Sequence, residues 1–453
     1  MKKNIFVFLN TSKDLYLTSQ VKNYLDKKNI DYKMDYYDFN NESVAQGNDI
    51  DNFVQIVENY YNKESLFNGI NISEKKRKHI ENQFVFFENL KGYDIYCFSL
   101  YDAYLSIQPI IALFLKEKYP NSKITFGGPE VILNDFTYES LKSMGFYCTR
   151  GDFEESLYQL LINEKEFYNS NHFYNLSKLT KDDVPKYSKD ELEYLNYNIM
   201  ISSSRGCANN CYFCSSPALS RYNLLKRDVL IEWFKYYNQI GVKSIRFNDS
   251  TLNKFEFDKL LDGLIKINNK IKIQNSDLAF DGLTIEQVKK MKKAGFNNVA
   301  FGIECLHPTL SKNINKKMPS LKIIYSLLKE LNKQKISVKL FYIVGIPSQT
   351  IEIFYEELKF LKKINKDFSN ISFEFYDYFI SPKSYIEKNY EKFSIKSIEN
   401  KNFDINYGKN ETLKKLLKLL KYYEKENPNN FEILERINVL YKEISNCVHM
   451  IYN

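Results

Sequence analysis

A regular alternation of strand-like and helix-like stretches in the second half of the chain is the feature that most constrains its fold. From residue 197 onward, short apolar stretches alternate with amphipathic helical patterns in six units of about 30 residues. Strands that alternate with helices form parallel sheets, and six units are too few for an eight-unit barrel. The pattern therefore predicts a partial (β/α)6 TIM-type barrel. Its strands are expected at residues 197–204, 243–249, 272–278, 298–304, 337–345 and 370–379.

The first part of the chain also alternates between strands and helices. Strand patterns at 4–10, 93–99 and 123–126 are separated by helical patterns, which predicts a Rossmann-like, doubly wound α/β domain. A polar stretch that contains Pro185 follows and is expected to be a linker. The chain is therefore expected to comprise a Rossmann-like domain (1–162), a linker (163–196), the partial barrel (197–384) and a helical C-terminal cap (385–453).

Composition and charge exclude several classes of protein. With 453 residues, 44% hydrophobic and 26% charged, the chain is globular and long enough for two or three domains. Its net charge of +8 comes from charges of both signs that alternate along helices, which is typical of a solvated surface rather than a nucleic-acid-binding one. No apolar run reaches the length of about 18 residues that spans a membrane, and the run at 5–9 is too short for a signal peptide. We therefore expect a cytoplasmic protein without membrane or nucleic-acid partners.

Cysteine spacing points to a metal centre. The chain has seven cysteines, an odd number, and no export signal is visible, so a disulfide framework is not expected. Cys207, Cys211 and Cys214 have the spacing Cys-x3-Cys-x2-Cys directly after the first barrel strand. A tetrahedral zinc site needs a fourth ligand, and the next candidates, Cys305 and His307, lie about ninety residues further on. Three thiolates on one short loop favour a 4Fe–4S cluster with one iron open to a small molecule.

These motifs resemble those of the radical S-adenosylmethionine (radical SAM) superfamily. The three-cysteine spacing with an aromatic residue, Phe213, before the last cysteine is the signature of that family. The flanking Ser-Arg-Gly-Cys is similar to its branch with a cobalamin-binding domain. The resemblance covers roughly residues 185–385. Further matching stretches follow in order at 246–252, 291–304, 315–317 and 341–347.

The resemblance implies a reaction. Cys207, Cys211 and Cys214 would hold the cluster, and its open iron would bind S-adenosylmethionine (SAM). An electron from a donor such as flavodoxin or ferredoxin would cleave SAM to a 5′-deoxyadenosyl radical. That radical would abstract a hydrogen atom from an unactivated carbon of a small-molecule or peptide substrate. The barrel would supply position and a water-poor space.

Five polar and glycine residues at strand ends are candidates for contact with SAM. Glu304 ends the fourth strand, where its carboxylate would accept hydrogen bonds from the ribose hydroxyls; the alternative is a buried structural acid. Gly302 and Gly345 would let a ligand approach the backbone, or would only allow tight strand packing. Asn248 and Asp249 would contact SAM or substrate, or would cap a strand.

Two residues beside these motifs complete the candidate set. The resemblance places Phe213 with the SAM-binding residues. Cys305 points opposite to Glu304 on a strand of period two, so it is expected in the core, with a hydrogen-atom donor as the alternative. The C-terminal part has no further cysteine cluster, which argues against auxiliary iron–sulfur clusters.

Residues 1–160 resemble the cobalamin-binding-like domain found before many radical SAM barrels. The resemblance rests on Phe126-Gly127-Gly128-Pro129-Glu130, on the strand that ends in Ser99, and on the stretch at 150–155. It implies that Ser99, Gly127 and Gly128 contact cobalamin, because glycines at a strand end let the backbone approach a flat ring. Tyr16 stands where free-standing cobalamin domains often supply a histidine ligand. Either cobalamin binds without a protein histidine, or the domain serves another purpose.

Three classes of function follow from these features. The leading prediction is a radical SAM enzyme that carries out cobalamin-dependent C-methylation of a natural product or peptide. Without cobalamin, the same barrel would carry out cyclisation, epimerisation, rearrangement or desaturation. A non-catalytic iron–sulfur or corrinoid-binding sensor is the alternative from another class. RNA modification has weak support and would require strongly salt-dependent binding of RNA.

Overall fold

The structure is a computed structural model that divides into two compact units, which we treat separately. The described residues up to Asn163 belong to the first unit, and those from Asn175 onward belong to the second. The described residues are 2–9, 15–38, 73–100, 108–163, 175–378, 380–393 and 447–450, with isolated positions at 59, 64, 65, 68, 69, 71, 439 and 444.

The first unit contains a five-stranded parallel sheet with the strand order β2-β1-β3-β4-β5. This order is that of a doubly wound fold, and it reverses direction between β1 and β3. The strands are β1 (Lys3–Leu9), β2 (Tyr32–Asp38), β3 (Ile95–Ser99), β4 (Lys123–Gly127) and β5 (Tyr147–Cys148). The helices are α1 (Leu15–Lys27), α2 (Glu74–Glu88), α3 (Gln108–Lys118), α4 (Pro129–Leu133), α5 (Asp135–Ser143) and α6 (Phe153–Asn163).

Both faces of this sheet are buried, as a doubly wound sheet requires. On one face, Ile5 and Cys97 pack in a cluster with apolar residues of α1 and α6. On the other face, the rings of Phe8, Phe98 and Phe126 form a continuous stack, with centroid distances of 4.2 and 5.0 Å. The prediction of a doubly wound α/β domain is therefore confirmed.

The second unit carries parallel strands in sequential order. One sheet has the order β10-β9-β6 and another has β11-β12-β13-β14-β15, and only Asn275 separates β10 from β11 along the chain. A bridge between Ile273 and Phe296 continues the pairing across this break. The parallel strands are β6 (Asn198–Ile201), β9 (Ser244–Phe247), β10 (Lys272–Gln274), β11 (Ser276–Leu278), β12 (Asn298–Glu304), β13 (Ser337–Val344), β14 (Ile371–Asp377) and β15 (Cys447–Met450).

Amphipathic helices follow these strands, as predicted for a barrel-type unit. In the helix Phe257–Lys266, for example, Leu260, Leu261 and Leu264 are fully buried. Two separate helices, Pro308–Asn313 and Leu321–Lys333, lie on either side of Pro319. The helices of the second unit are α7 (Lys189–Tyr194), α8 (Ser216–Leu219), α9 (Arg227–Gln239), α10 (Phe257–Lys266), α11 (Ile285–Ala294), α12 (Pro308–Asn313), α13 (Leu321–Lys333), α14 (Ile351–Asp367) and α15 (Tyr385–Lys388).

Two segments differ from their predicted character. Residues 175–196, expected within the linker, are folded onto the barrel unit, where Trp233 and Tyr237 of α9 donate hydrogen bonds to the carbonyls of Thr180 (3.2 Å) and Pro185 (2.9 Å). The segment expected as a helical cap contributes a strand, β15, which pairs in parallel with β14. In the rest of that cap, the structure describes only residues 385–393, 439 and 444. Among the described helices, none combines the length and apolar character needed to cross a membrane.

Candidate active site at the carboxyl ends of the barrel strands

The cysteine loop, residues 206–222, is closed at its base by a two-stranded antiparallel ribbon. The ribbon consists of β7 (Ser204–Arg205) and β8 (Asn223–Leu224). The loop begins at Gly206, whose φ of 69° lies in the left-handed region. A Cβ atom here would collide with the Ser220 carbonyl oxygen and lie 2.8 Å from the Tyr222 nitrogen. Only glycine therefore fits the position before the first cysteine.

The three predicted cluster ligands lie together on this loop as partly buried free thiols. The Sγ of Cys207 accepts a hydrogen bond from the Asn209 N–H at 3.4 Å, and that of Cys214 accepts one from the Ser216 N–H at 3.4 Å. Burial raises the pKa of Cys211 to about 12; Lys316 opposes this shift, and Glu304, Cys214 and Cys207 add to it. Iron binding would therefore have to displace a proton from Cys211.

Backbone hydrogen bonds and ring stacking hold the cysteine loop in place. The Tyr212 N–H donates to the Ile314 carbonyl, and the Tyr212 carbonyl accepts from the Ile386 N–H, both at 2.9 Å. The ring of Tyr212 stacks on Tyr385 with the centroids 4.1 Å apart. Phe213 packs against a buried apolar cluster below the loop. The segments that follow β12 and β14 thus hold the cysteine loop from two sides.

The thiols fit a cluster with three protein ligands. Cys305 is fully buried in the apolar cluster that Phe213 contacts, with its Sγ 3.3 Å from the Ser311 hydroxyl. It therefore occupies the predicted core position, and its surroundings give no support to a hydrogen-atom-donor role. Within the described part of the chain, no three His, Cys, Asp or Glu side chains are arranged around a single metal-ion position. The donor set, three thiols on one loop, is the chemistry that iron–sulfur clusters use.

Glu304 lies at the carboxyl end of β12 and is paired with a lysine. Its carboxylate is 2.5 Å from the Nζ of Lys316, and both side chains are largely buried. Burial alone would lower the pKa of Lys316, but the Glu304 carboxylate and the nearby Cys211 reverse this effect, so the pKa of the lysine is raised. The carboxylate folds over Gly302 and occupies the position that a Cβ would take. The missing side chain of Gly302 therefore makes room for Glu304 itself.

Asp249 and Asn248 follow β9 but have different surroundings. Asp249 is buried, and its carboxylate accepts hydrogen bonds from the Ser203 N–H at 3.0 Å and from the hydroxyls of Ser203 and Ser204. Burial raises the pKa of Asp249, and these hydrogen bonds oppose the shift. Asp249 thus fixes the turn that leads into the cysteine loop, whereas Asn248 is exposed and donates its N–H to the Ile201 carbonyl at 2.8 Å.

Glu357, which the sequence analysis missed, joins two loops at this edge. It lies on α14, is buried, and accepts hydrogen bonds from the N–H groups of Leu306 and His307 (2.8 Å for His307) after β12. It also accepts from the side-chain amide of Gln349 at 2.9 Å. The Gln349 side-chain oxygen in turn accepts the N–H of Gly345 at 2.8 Å.

A signal for Glu357 was present in the sequence. The residue stands among Phe354, Leu358 and Leu361 on the apolar face of an amphipathic helix. Its second carboxylate oxygen also accepts the Tyr342 hydroxyl at 2.7 Å. A charged residue on an apolar helix face requires hydrogen-bond partners, and here the partners are the loops of the candidate site.

The three residues predicted for cobalamin meet at the carboxyl edge of the first sheet. Ser99 and Gly127 are register partners on β3 and β4. Gly128 has a φ of 99°, and a Cβ on it would lie 2.7 Å from the Leu100 carbonyl oxygen. Tyr16 occupies the position at which free-standing cobalamin domains often supply a histidine ligand, and it is buried in the first turn of α1.

The barrel unit presents three thiols and a paired acid at the carboxyl edge of its parallel strands, and this donor set suits an iron–sulfur cluster. Residues 201–361, which include the cysteine loop, Glu304 and Gly345, match the family model of the radical SAM superfamily. These residues of the barrel unit therefore form a radical SAM domain, as the sequence analysis predicted. A 4Fe–4S cluster and SAM are the cofactors of this class, so both predictions are confirmed.

Curated relatives share parts of the chain. The bacteriochlorophyllide d C-12(1)-methyltransferase of Chlorobaculum tepidum is 25% identical over 179 residues, which are 38% of this chain and 38% of the relative. An uncharacterized methyltransferase of Pyrococcus horikoshii is 28% identical over 209 residues, or 42% of this chain and 44% of the relative. The chain thus spans less than half the length of these relatives.

Solved structures show a likeness in fold that extends beyond the barrel unit. The radical SAM methyltransferase TsrM from Kitasatospora setae, solved with cobalamin and a 4Fe–4S cluster bound, has a TM-score of 0.60 at 12% identity over 83% of this chain and 75% of its own. The cobalamin-dependent enzyme OxsB has a TM-score of 0.56 at 16% identity over 86% of this chain and 55% of its own.

Proposed function

We propose that the protein is a cobalamin-dependent radical SAM methyltransferase that methylates an unactivated carbon of a small-molecule or peptide substrate. One observation carries the proposal. The same chain combines a cysteine loop on a radical SAM domain with a doubly wound unit whose carboxyl edge presents the backbone of Gly127 and Gly128 beside Ser99. The methyltransferase relatives and the fold likeness to TsrM and OxsB support it.

In the barrel unit, the residues of this chain bind and orient the cofactors. The cluster and SAM, when bound, supply the 5′-deoxyadenosyl radical. Cys207, Cys211 and Cys214 hold the cluster, and Asp249 fixes the turn from which their loop departs. Glu304 offers its carboxylate to the ribose hydroxyls of SAM. Because its charge is already balanced by Lys316, it does not add net negative charge beside the thiolates.

In the first unit, backbone atoms would hold the corrin ring. Ligands of open α/β sheets bind outside the carboxyl ends of the strands, near the point where strand order reverses. Here that point lies between β1 and β3, and Ser99 ends β3. Gly127 and Gly128 have no side chains to obstruct a flat macrocycle. Because position 16 is a tyrosine, cobalamin would bind without a protein histidine from this position.

Anaerobic reconstitution with and without methylcobalamin tests the proposal. The full chain is supplied with iron, sulfide, a reductant and SAM, and then separated from unbound cofactor. We expect corrin absorbance to co-elute with the protein and 5′-deoxyadenosine to accumulate. A protein that binds no corrinoid would overturn the methyltransferase proposal.

Because Tyr16 stands where free-standing cobalamin domains often supply a histidine, a second candidate is that the same barrel unit performs a cobalamin-independent cyclisation, epimerisation, rearrangement or desaturation. If this second candidate is correct, the protein binds no corrinoid, and it forms as much 5′-deoxyadenosine without added corrinoid as with it. If no SAM is cleaved under either condition, a non-catalytic sensor becomes the better description. The reconstitution experiment therefore separates all three functions.

A further inference from the structure

The strands of the barrel unit have one face toward the helices and one toward the interior. Phe247 of β9 stacks on Phe234 of α9, so its neighbour Arg246 lies on the opposite, interior face. Tyr342 of β13 donates a hydrogen bond to Glu357 of α14, so the side of β13 that carries Tyr342 faces the helices. The opposite side of β13 therefore faces the interior.

The interior face carries charges where barrels usually carry branched apolar residues. Arg246 lies on β9, Asp277 on β11, Lys339 on β13 and Glu374 on β14. Asp277 and Lys339 flank Ala300 of β12 in the strand register. Glu374 is buried and the other three are partly buried. Burying charged groups costs free energy unless they are paired, so a partner would stabilise each of these side chains.

One of the two opposite-charge pairs is complete. Lys339 forms an ion pair with Glu374, which also accepts a hydrogen bond from the Tyr376 hydroxyl at 2.8 Å. The second pair, Arg246 of β9 and Asp277 of β11, is not formed. Among the described residues, neither the guanidinium of Arg246 nor the carboxylate of Asp277 has a hydrogen-bond partner or an ion pair, although each is within electrostatic range of the other.

We propose that Arg246 and Asp277 bind the α-amino acid group of the substrate, with the guanidinium taking its carboxylate and the Asp277 carboxylate taking its ammonium. That this ligand is the methyl acceptor rests on the proposed function. Two opposite charges on neighbouring strands that do not meet each other are complementary to a zwitterion, which neutralises both at once. Arginine forms bidentate pairs with carboxylates, which adds geometric specificity.

The position of this amino acid site suits a substrate of the radical domain. Asp277 is within electrostatic range of Glu304, the residue predicted to contact SAM. On β12, between these side chains, the small residues Ala300 and Gly302 limit the side-chain volume that projects into the interior. Burial raises the pKa of Asp277 to about 6, so its carboxylate is ionised and ready for an ammonium at neutral pH.

Equilibrium dialysis of the anaerobically reconstituted full chain tests the site. The probes are the twenty L-amino acids, each compared with its methyl ester and with the amine that lacks the carboxylate. We expect at least one amino acid to bind, and its ester and amine to bind at least about tenfold more weakly, because each lacks the anionic group. The proposal is wrong if no amino acid binds, or if SAM displaces the bound one.

Variants separate recognition from folding. Arg246→Met is expected to bind acid and ester equally, and Asp277→Asn is expected to lose at least about tenfold in affinity for the ammonium form. Lys272→Met, which removes an exposed cation from neighbouring β10, serves as the matched control and keeps full affinity. Iron content equal to wild type shows that each variant is folded.

The double variant Arg246→Met/Asp277→Leu distinguishes a ligand site from a structural pair. If the two residues only stabilise each other, the double variant retains amino acid binding, and the proposal fails. Dialysis without corrinoid also keeps the two proposals apart. Amino acid binding without corrinoid binding would overturn the methyltransferase and leave the site standing, and the reverse result would overturn the site alone.

Discussion

The two units both present a parallel sheet whose carboxyl edge carries candidate ligands, but the edges are chemically different. At the edge of the first unit, Ser99, Gly127 and Gly128 offer backbone and one hydroxyl. In the barrel unit, the corresponding edge carries thiols, carboxylates and one largely buried cation, Lys316. The shared topology fixes where a ligand binds, whereas the residues at strand ends decide which ligand it is. A neutral backbone edge suits a broad flat ring, and a charged one suits a metal cluster and small ions.

The largest effect is expected from the thiols, which have no counterpart at the first edge. Replacing Cys207, Cys211 and Cys214 by alanine should abolish the brown chromophore and reduce the iron content from about four atoms per chain to nearly none. Iron and sulfide analysis after anaerobic reconstitution measures this loss. Cys305→Ala is the matched control and should retain its iron, because Cys305 lies in the apolar cluster. A chromophore that persists in the triple variant would contradict the cluster assignment.

Glycine at the start of the cysteine loop should be nearly as critical. Gly206→Ala combines a left-handed φ with a collision against the loop backbone, so we expect a loss of roughly 3 kcal/mol or more in unfolding free energy, together with cluster loss. Gly241 has a similar φ of 78° but open space around it. Gly241→Ala should therefore cost only about 1–2 kcal/mol and keep the iron. Equal losses in denaturant titrations of both variants would show that the collision is unimportant.

A glycine-to-alanine substitution at the carboxyl edge of the first unit tests the corresponding ligand site there. Gly128→Ala would place a Cβ 2.7 Å from the Leu100 carbonyl oxygen and should cost about 2–3 kcal/mol and reduce corrinoid binding, while iron content stays unchanged. Gly92, which has a positive φ and free space, provides the control variant Gly92→Ala. The measurement is corrin absorbance and iron content on the same sample. Loss of iron in the Gly128 variant would show that the edges do not act independently.

Side-chain support is a further difference, since the barrel edge depends on Glu357. Glu357→Gln places an amide among backbone N–H donors and should cost about 2–3 kcal/mol and weaken SAM binding about tenfold. The neighbouring Glu356 is exposed, so Glu356→Gln should change stability by less than about 0.5 kcal/mol. Isothermal titration with SAM and denaturant titration measure the two effects. If the Glu357 variant binds SAM as tightly as wild type, Glu357 contributes only to the stability of the fold.

The smallest expected effect is a gain in the free energy of unfolding when Asp277 is replaced by asparagine. Burial raises the pKa of Asp277 from 3.8 to about 6; Arg246 and Lys339 oppose the shift, and Asp249 and Glu304 add to it. A carboxyl group with a raised pKa in the folded state destabilises the protein once it ionises, so the penalty grows between about pH 4 and pH 6 and is complete above that range. Asp277→Asn should therefore be about 1–2 kcal/mol more stable than wild type at pH 7.5, and equally stable near pH 4. Equal stability of the two proteins at both pH values would refute the expected ionisation.

Much of this architecture followed from local patterns in the sequence. Each predicted barrel strand contains an observed one, because apolar runs bounded by turns identify buried parallel strands without reference to their neighbours. The cysteine spacing predicted a cluster loop for the same reason, since three candidate ligands within eight residues need no long-range information. Segments with weak periodicity were harder to predict. Residues 175–196 were assigned to a linker although Leu176 and Val184 are buried, and β15 was expected to be helical.

The sequence by itself determined the α/β class, the two alternating halves and the residues that can bind a cluster, because these depend on composition and short-range spacing. Only the tertiary structure decided which distant residues meet. It brought Glu357 to the backbone after β12, placed Lys316 against Glu304, and left Arg246 and Asp277 unpaired in one interior. The physical reason is that charge pairing depends on strand register and on which face a side chain occupies, and both are fixed only when the sheet assembles.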